Sequence, residues 1–270
     1  MKILLMTTCI LDSNTLVDLK RLVDSIKNAS DLFFEHVFLL QGNPELTNYD
    51  LSFLADNNNY IKHIIYNEGV ISLSSARNIM IKYSYSNNLY DDVNVVSFPD
   101  DDCWYPQGSL EYLKSIFTNN NEKVIYTRYG SLPSSIDNVP FTNNHSIKNL
   151  VSYASSNTTF YDKGLFIKIG IFDERFGVGA TYNGGEDTDF AIRALVVNSF
   201  KSFCFIDFVL VGHRDPNPIF RYKYFNGSLR VLKIHSSNSF NLKFMYIRKL
   251  LVGFIYLLSR KISFIDLITK

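Results

Sequence analysis

A chain of 270 residues with 46% hydrophobic and 20% charged residues has ample apolar mass for a large core, which excludes wholesale disorder and a linker-dominated protein. The net charge of +1 excludes an unspecific polyanion binder, but the charge is unevenly spread. Across residues 219–270, ten Lys/Arg stand against one acid, Asp266, while the preceding part carries 17 basic and 25 acidic residues. Only the C-terminal part is suited to an anionic partner. Cys9, Cys103 and Cys204 are odd in number and far apart, implying a reducing compartment with no disulfide framework and no thiolate zinc site. The opening MKILLMTTCI is too short an apolar run for a signal peptide and reads as a buried strand. The longest apolar stretch, residues 250–258, has basic pairs at both ends and about half the ~20 residues that a membrane span needs.

In chain order, residues 3–10 form a continuous apolar run, the pattern of a strand buried on both faces. After Asp12-Ser13-Asn14, suited to capping, Leu16, Leu19, Leu22, Val23 and Ile26 recur at helical spacing. Residues 36–40 and 61–66 predict the next strands, and a helix starts near Ser74. A fourth strand, 92–98, runs into Pro99-Asp100-Asp101-Asp102. Repeated strand–helix units argue for an α/β fold with a mainly parallel sheet and helices on both faces, where ligands bind beyond the carboxyl ends of the strands. Further on, 123–129 reads as a strand and 130–149 as a polar, turn-rich loop. Residues 155–160 and 164–169 read as a short strand and a helix. Four glycines in 177–185 lead to Glu186-Asp187-Thr188-Asp189, a helix from 188 to about 197, and a strongly apolar strand, 203–211, ending at Gly212-His213.

Three consecutive carboxylates at a strand end raise one another's pKa unless a cation neutralises them. Mg²⁺ or Mn²⁺ suits such oxygens and bridges a protein carboxylate to a diphosphate. A solvated turn is the plain alternative, but the buried strand before the acids and Cys103-Trp104-Tyr105-Pro106 after them favour a binding edge. In the second cluster, Glu186, Asp187 and Asp189 either complement a helix N-terminus or supply a general base. His213 is a metal ligand or a structural histidine. Arg77, in Ser74-Ser75-Ala76-Arg77-Asn78, either helps a helix N-terminus bind phosphate or pairs with an acid.

Taken in order, the opening strand, SSARN, FPDDDCWYP, and FDERFGVGATYNGGEDTDF followed by GHRDP resemble the family-2 glycosyltransferases of the GT-A fold. The likeness is to bacterial enzymes of surface-polysaccharide (O-antigen or capsule) synthesis and covers residues 2–230. The GGED element is also similar to the acceptor-side motif of β-1,4-galactosyltransferases. The resemblance implies a GT-A, Rossmann-like nucleotide-binding body. Residues 1–106 would form its nucleotide-sugar half, 107–218 its acceptor and catalytic half, and 219–270 a basic amphipathic helical tail.

The resemblance further implies an inverting transfer from a nucleotide-diphosphate sugar, with a UDP-sugar favoured, to a hydroxyl of an undecaprenyl-diphosphate-linked oligosaccharide. Asp102 and one of Asp100 or Asp101 would hold Mn²⁺ or Mg²⁺ against the donor diphosphate, with His213 as a further ligand. Asp187 would be the base and Glu186 an acceptor-hydroxyl contact, with Asp189 on the same side. Thr7 and Thr8 would lie near the nucleoside, and Arg77 would help place the donor. Trp104 and Tyr182 would stack on sugar faces, with core packing an equal alternative for Trp104. Two positions depart from the family pattern: Pro99 stands where many relatives have a first acid, and Gln41-Gly42-Asn43 stands where they have Asp-Asp-Gly-Ser for base recognition.

In the tail, Ile247, Leu250, Leu251, Phe254, Ile255 and Leu258 share a helical face, with Arg248, Lys249, Arg260 and Lys261 at its ends. This favours a helix lying on an anionic membrane surface over a core-packed terminal helix, and hence a cytoplasmic protein peripheral to the inner face of the cell membrane. No nucleic-acid partner is expected. A nucleotidyltransferase would carry a glycine-rich basic loop after the first strand, which TTCILDSN does not match. A non-catalytic carbohydrate-binding relative would have little need of both acidic clusters.

Overall fold

The computed structural model describes residues 1–29, 32–42, 50–56, 59–120, 122–133, 136, 146–215 and 217–267. Asn43 and most of the expected loop 130–149 lie outside them. The strands β1 (Lys2–Ile10), β2 (Phe33–Gly42), β3 (Tyr60–Glu68), β4 (Val95–Ser97), β5 (Val124–Gly130), β6 (Thr159–Asp162) and β7 (Phe203–Gly212) form one sheet in the order β3-β2-β1-β4-β6-β5-β7. β1, β2, β3 and β4 are parallel, β5 and β7 are parallel, and β6 runs antiparallel to both β4 and β5. The mostly parallel α/β sheet is thus as expected, with one antiparallel strand in its middle. The fourth strand begins at Val95 rather than Asp92.

The continuous apolar run of β1 has a simple cause. Its alternate side chains enter two different cores: Leu4 and Met6 on one face, Ile3, Leu5 and Cys9 on the other. The second core is covered by α1 (Ser13–Lys27) through Leu19, Leu22, Val23 and Ile26. Asp12 starts that helix by accepting from the N–H groups of Asn14 and Thr15, while the Thr15 hydroxyl accepts from the Asp12 N–H. α3 (Ser109–Asn120) adds Leu110, Leu113 and Ile116 on the same side.

The opposite core receives α2 (Leu73–Ser86), α4 (Ile147–Tyr153), α5 (Lys163–Ile169) and α6 (Glu186–Val197). An aromatic group dominates it. Phe98, directly after β4, meets Phe172 edge-on at 5.1 Å, and Phe172 stacks on Phe190 of α6 at 4.3 Å. The residue that leads into the acidic triplet and the helix that carries the second acidic cluster therefore pack in one place.

After β7 come α7 (Phe220–Lys223), α8 (Phe225–His235), α9 (Phe240–Leu258) and α10 (Phe264–Leu267). The basic segment is helical as expected, but it is part of the body. Val231 and Leu232 of α8 and Leu242 and Met245 of α9 join the main core, and Phe225, Leu229, Ile262 and Leu267 make a smaller one. None of the three cysteines is paired, and all are buried. Among the described residues, no helix is long and apolar enough to cross a membrane.

Candidate active site

The site forms beyond the carboxyl ends of β1, β4 and β7. Trp104 and Gly212 exchange both backbone hydrogen bonds, at 3.0 and 2.8 Å, which ties the segment after β4 to the end of β7. The indole lies flat on Gly212, where any Cβ would enter the ring. This bridge brings Asp102, two residues before Trp104, against His213, one residue after Gly212. His213 Nε2 lies 3.0 Å from Asp102 Oδ1, and Arg214 donates to Asp102 Oδ2 from Nε at 2.7 Å and also from Nη2. The Arg214 carbonyl accepts from His213 Nδ1 at 2.7 Å, so Nε2 carries the lone pair whenever the ring is neutral.

Asp100 and Asp187 are joined through two shared partners. Arg77, 2% exposed, donates from Nη1 to Asp187 Oδ1 at 2.7 Å, and its Nη2 is 3.5 Å from Asp100 Oδ1. Ser156 accepts from Arg77 Nη2 at 2.6 Å, donates its hydroxyl to Asp100 Oδ1 at 3.3 Å, and donates its backbone N–H to Asp187 Oδ2 at 3.0 Å. Sequence reasoning missed Ser156, whose segment SSNTTF carries no signal of its own. Arg77 contacts carboxylates rather than open cleft, so of its two readings the structure displays the pairing one.

Charge crowding leaves its mark on the acids. Burial, then Asp187 and Asp102, push Asp100 up to about 6 in spite of Arg77. Burial raises Asp101 to about 7, with the Cys9 thiol opposing it and Asp100 and Asp102 adding to it. Burial acts on Asp102 too, but His213 and Arg214 outweigh it and hold the carboxyl at about 2. Burial and the neighbouring Asp187 raise Glu186 to about 7. Asp100, Asp102 and His213 can each offer one ligand atom with all three within 4.8 Å of one another. Two hard oxygens and one imidazole suit Mg²⁺ or Mn²⁺. The guanidinium already resting on Asp102 marks this spot as one that accepts positive charge.

The remaining expected residues divide. Thr8 sits half-buried at the end of β1, its hydroxyl accepting from Gln41 Nε2 at 2.7 Å, while Gln41 Oε1 accepts from the Ile71 N–H at 2.9 Å. Thr7 does not reach a nucleoside site: its buried hydroxyl donates to the Pro99 carbonyl and accepts from His36 Nε2, both at 2.8 Å. Asp189 also turns away from the cleft, because its two oxygens are taken by His235 Nε2 and Arg193 Nε, each at 2.8 Å. The α6 helix winds, so two residues beyond Asp187 the side chain faces α8 instead. Trp104 is packed on Gly212 beneath the guanidinium of Arg21, 4.3 Å from the ring centroid. Tyr182 lies between Phe176 and Arg230.

A cleft of about 610 Å³ opens against these groups, lined by Tyr129, Glu186, Asp187, His213, Tyr224 and Ser228, among others. The last two belong to the basic C-terminal segment, which therefore walls the cleft. The GGED motif permits the approach. Gly184 and Gly185 have φ of +85° and +93°, and a Cβ at Gly185 would stand 2.9 Å from the backbone of Gly227 on α8. Gly185 in this left-handed conformation starts α6, so three acids enter its first turn. One carboxyl oxygen of Glu186 is buried with no hydrogen-bond partner among the described residues.

The sequence model of glycosyl transferase family 2 matches residues 14–176, more than half of the chain, including Arg77 and the acidic triplet. No curated protein matches the chain. Among solved structures, S. aureus TarS 1–349 is 15% identical with a TM-score of 0.59, over 86% of this chain and 65% of that one. The same fragment in complex with UDP-GlcNAc gives 15%, 0.60, 86% and 66%. A longer TarS structure gives 14%, 0.59, 86% and 40%. The chain thus spans less than two thirds of the length of these proteins, and at this identity the likeness is one of fold.

Proposed function

The chain belongs to glycosyl transferase family 2, and from that premise we propose that it transfers a sugar from a UDP-sugar to a hydroxyl of a lipid-linked saccharide, with inversion and with the help of a divalent cation. The observation that carries this reading is the sharing of Arg77 and Ser156 by Asp100 and Asp187, which supports a metal ligand and a base acting side by side. The TarS fragment has been solved with UDP and with UDP-GlcNAc, which supports a uridine donor.

Asp102, Asp100 and His213 would hold the cation, which when bound offsets the charge developing on the diphosphate leaving group. Asp187, on the wall of the cleft, takes the proton of the acceptor hydroxyl. The oxygen then bonds to the anomeric carbon as the bond to the diphosphate oxygen breaks, and the electron pair leaves with the diphosphate. Arg77 and the Ser156 N–H hold both oxygens of Asp187, which aims the carboxylate. Glu186, with an unpartnered oxygen, contacts the acceptor hydroxyl. A saccharide on a lipid carrier places the enzyme peripherally on the inner face of the cell membrane, in bacterial surface-polysaccharide synthesis.

The test is a panel of nucleotide sugars assayed for hydrolysis with Mn²⁺, with Mg²⁺ and with chelator. One UDP-sugar is expected to be hydrolysed only with metal, and Asp187→Asn to lower that rate by about 10²–10⁴. Full transfer by Asp187→Asn overturns the base assignment, and metal-independent turnover overturns the cation.

A further inference from the structure

The outer face of α9 carries an apolar stripe that nothing in the described chain covers. Phe240, Phe244, Ile247, Leu251, Phe254 and Leu258 are all exposed, Leu251 at 60% and Leu258 at 85%. Their spacing alternates between four and three residues, so at 3.6 residues per turn they fall within an arc of roughly 80°. Ile255, also exposed, widens that arc at one edge. The helix cannot roll this stripe inward, because its other side is already committed. Leu242 and Met245 are in the main core, and a Cβ at Gly253 would collide with Phe225 and Leu267.

Exposed Lys243 and Arg248 border the stripe on its two sides, and exposed Arg260 and Lys261 follow the helix. The one acid of residues 219–270, Asp266, is engaged with the backbone and hydroxyl of Ser263. Apolar side chains between flanking cations match an interface of acyl chains beneath anionic headgroups. The same charges oppose pairing with a second copy, since stripe on stripe would bring two strongly basic segments together.

We infer that α9 docks flat in the interface of an anionic lipid membrane, with this stripe among the acyl chains and Lys243 and Arg248 at the headgroups. The inference deepens the membrane placement proposed above and rests on it. It also gives that placement a geometry. α9 packs on α8, and Ser228 of α8 lines the cleft, so a docked α9 holds the cleft about one helix layer, roughly 10 Å, from the lipid. That spacing suits a sugar held above the membrane on a lipid carrier.

Deleting α9 would remove Leu242 and Met245 from the main core and expose what they cover, so the test uses surface substitutions. The intact protein is sedimented with vesicles of phosphatidylglycerol and phosphatidylcholine in a one-to-two ratio, and with vesicles of phosphatidylcholine alone. Binding to the first is expected to exceed binding to the second by at least about tenfold and to weaken with salt. The double variant Leu251→Glu/Leu258→Glu is expected to lose at least about tenfold in vesicle binding with unchanged thermal stability. Wild-type protein that stays in the supernatant, equal binding to both vesicle types, or undiminished binding by the variant overturns the inference. So does a lipid-free dimer that the variant dissociates, which would assign the stripe to a second copy. Sugar transfer enters none of these readouts, so a failure of the catalytic reading shows separately.

Discussion

Arg77 of α2 reaches Asp187 at the start of α6, Nη1 to Oδ1 at 2.7 Å, across a part of the chain that contains three strands. The guanidinium is buried, while Asp187 and Asp100 keep some contact with water. Removing the guanidinium takes away the charge the two carboxylates share and leaves them repelling each other across a void. Arg77→Ala is therefore expected to cost about 3 kcal/mol, the lower end for breaking a buried pair, or roughly 6–12 °C in Tm. Arg77→Lys keeps the charge but cannot hold Asp187 and Ser156 together, so it should recover much of the Tm and little of the donor hydrolysis. A Tm unchanged in Arg77→Ala would contradict this account.

Arg214 and a divalent cation make rival claims on Asp102. The guanidinium occupies Asp102 Oδ2, so an entering ion shares the carboxylate with it and must overcome its repulsion. Arg214→Ala should tighten Mn²⁺ binding about three- to tenfold, less than a fully buried charged hydrogen bond would give because Arg214 is largely exposed. Asp102→Asn and His213→Ala should each abolish the stabilisation that Mn²⁺ gives the wild type, about 2.7 kcal/mol at a hundredfold excess over Kd. Calorimetric titration and melting curves check both. Mn²⁺ binding that is equal in wild type and Asp102→Asn would exclude this site.

The sheet was legible in the sequence wherever both faces of a strand or one face of a helix repeat regularly. β1 and α1 are the clearest cases. β6 was not legible as an antiparallel insertion, because four residues after a single turn carry no orientation signal. Asp100, Asp102, Asp187 and His213 stood out through residue type and their place at element ends. Ser156 did not, because its importance lies in a backbone N–H and a hydroxyl that meet two distant carboxylates. Thr7 looked available at a strand end, yet strand geometry turns its hydroxyl toward His36 and inward. The basic segment read as an appendage because one amphipathic stripe says nothing about the second face. It meets the body partly between glycines, Gly227 against Gly184 and Gly185.

That approach is itself testable. A Cβ on Gly227 would run into the backbone of Asn183 and Gly184, which cannot swing aside as a side chain can. Gly227→Ala should push α8 outward at a cost of about 1–3 kcal/mol. Tyr224 and Ser228 move with α8, so the KM for the acceptor should rise while metal-dependent donor hydrolysis changes little. A variant with wild-type Tm and acceptor KM would mean that α8 does not shape the acceptor side.

Glu186 gives the fold a pH dependence whose sign follows from its surroundings. Burial, reinforced by Asp187, raises its carboxyl from the ordinary 4.5 to about 7. Between these two values the folded chain keeps a proton that the unfolded chain has lost. Raising the pH through that window therefore disfavours the fold, and above about 7 both states are ionised and the penalty stays constant. Glu186→Gln removes the group and its penalty. The Tm of the variant minus that of the wild type should thus grow from pH 5 to pH 8, and a difference that stays flat across this range would contradict burial as the cause. Because Asp187 remains the base, metal-dependent donor hydrolysis should survive in Glu186→Gln while the acceptor KM rises, separating the roles of two adjacent carboxylates.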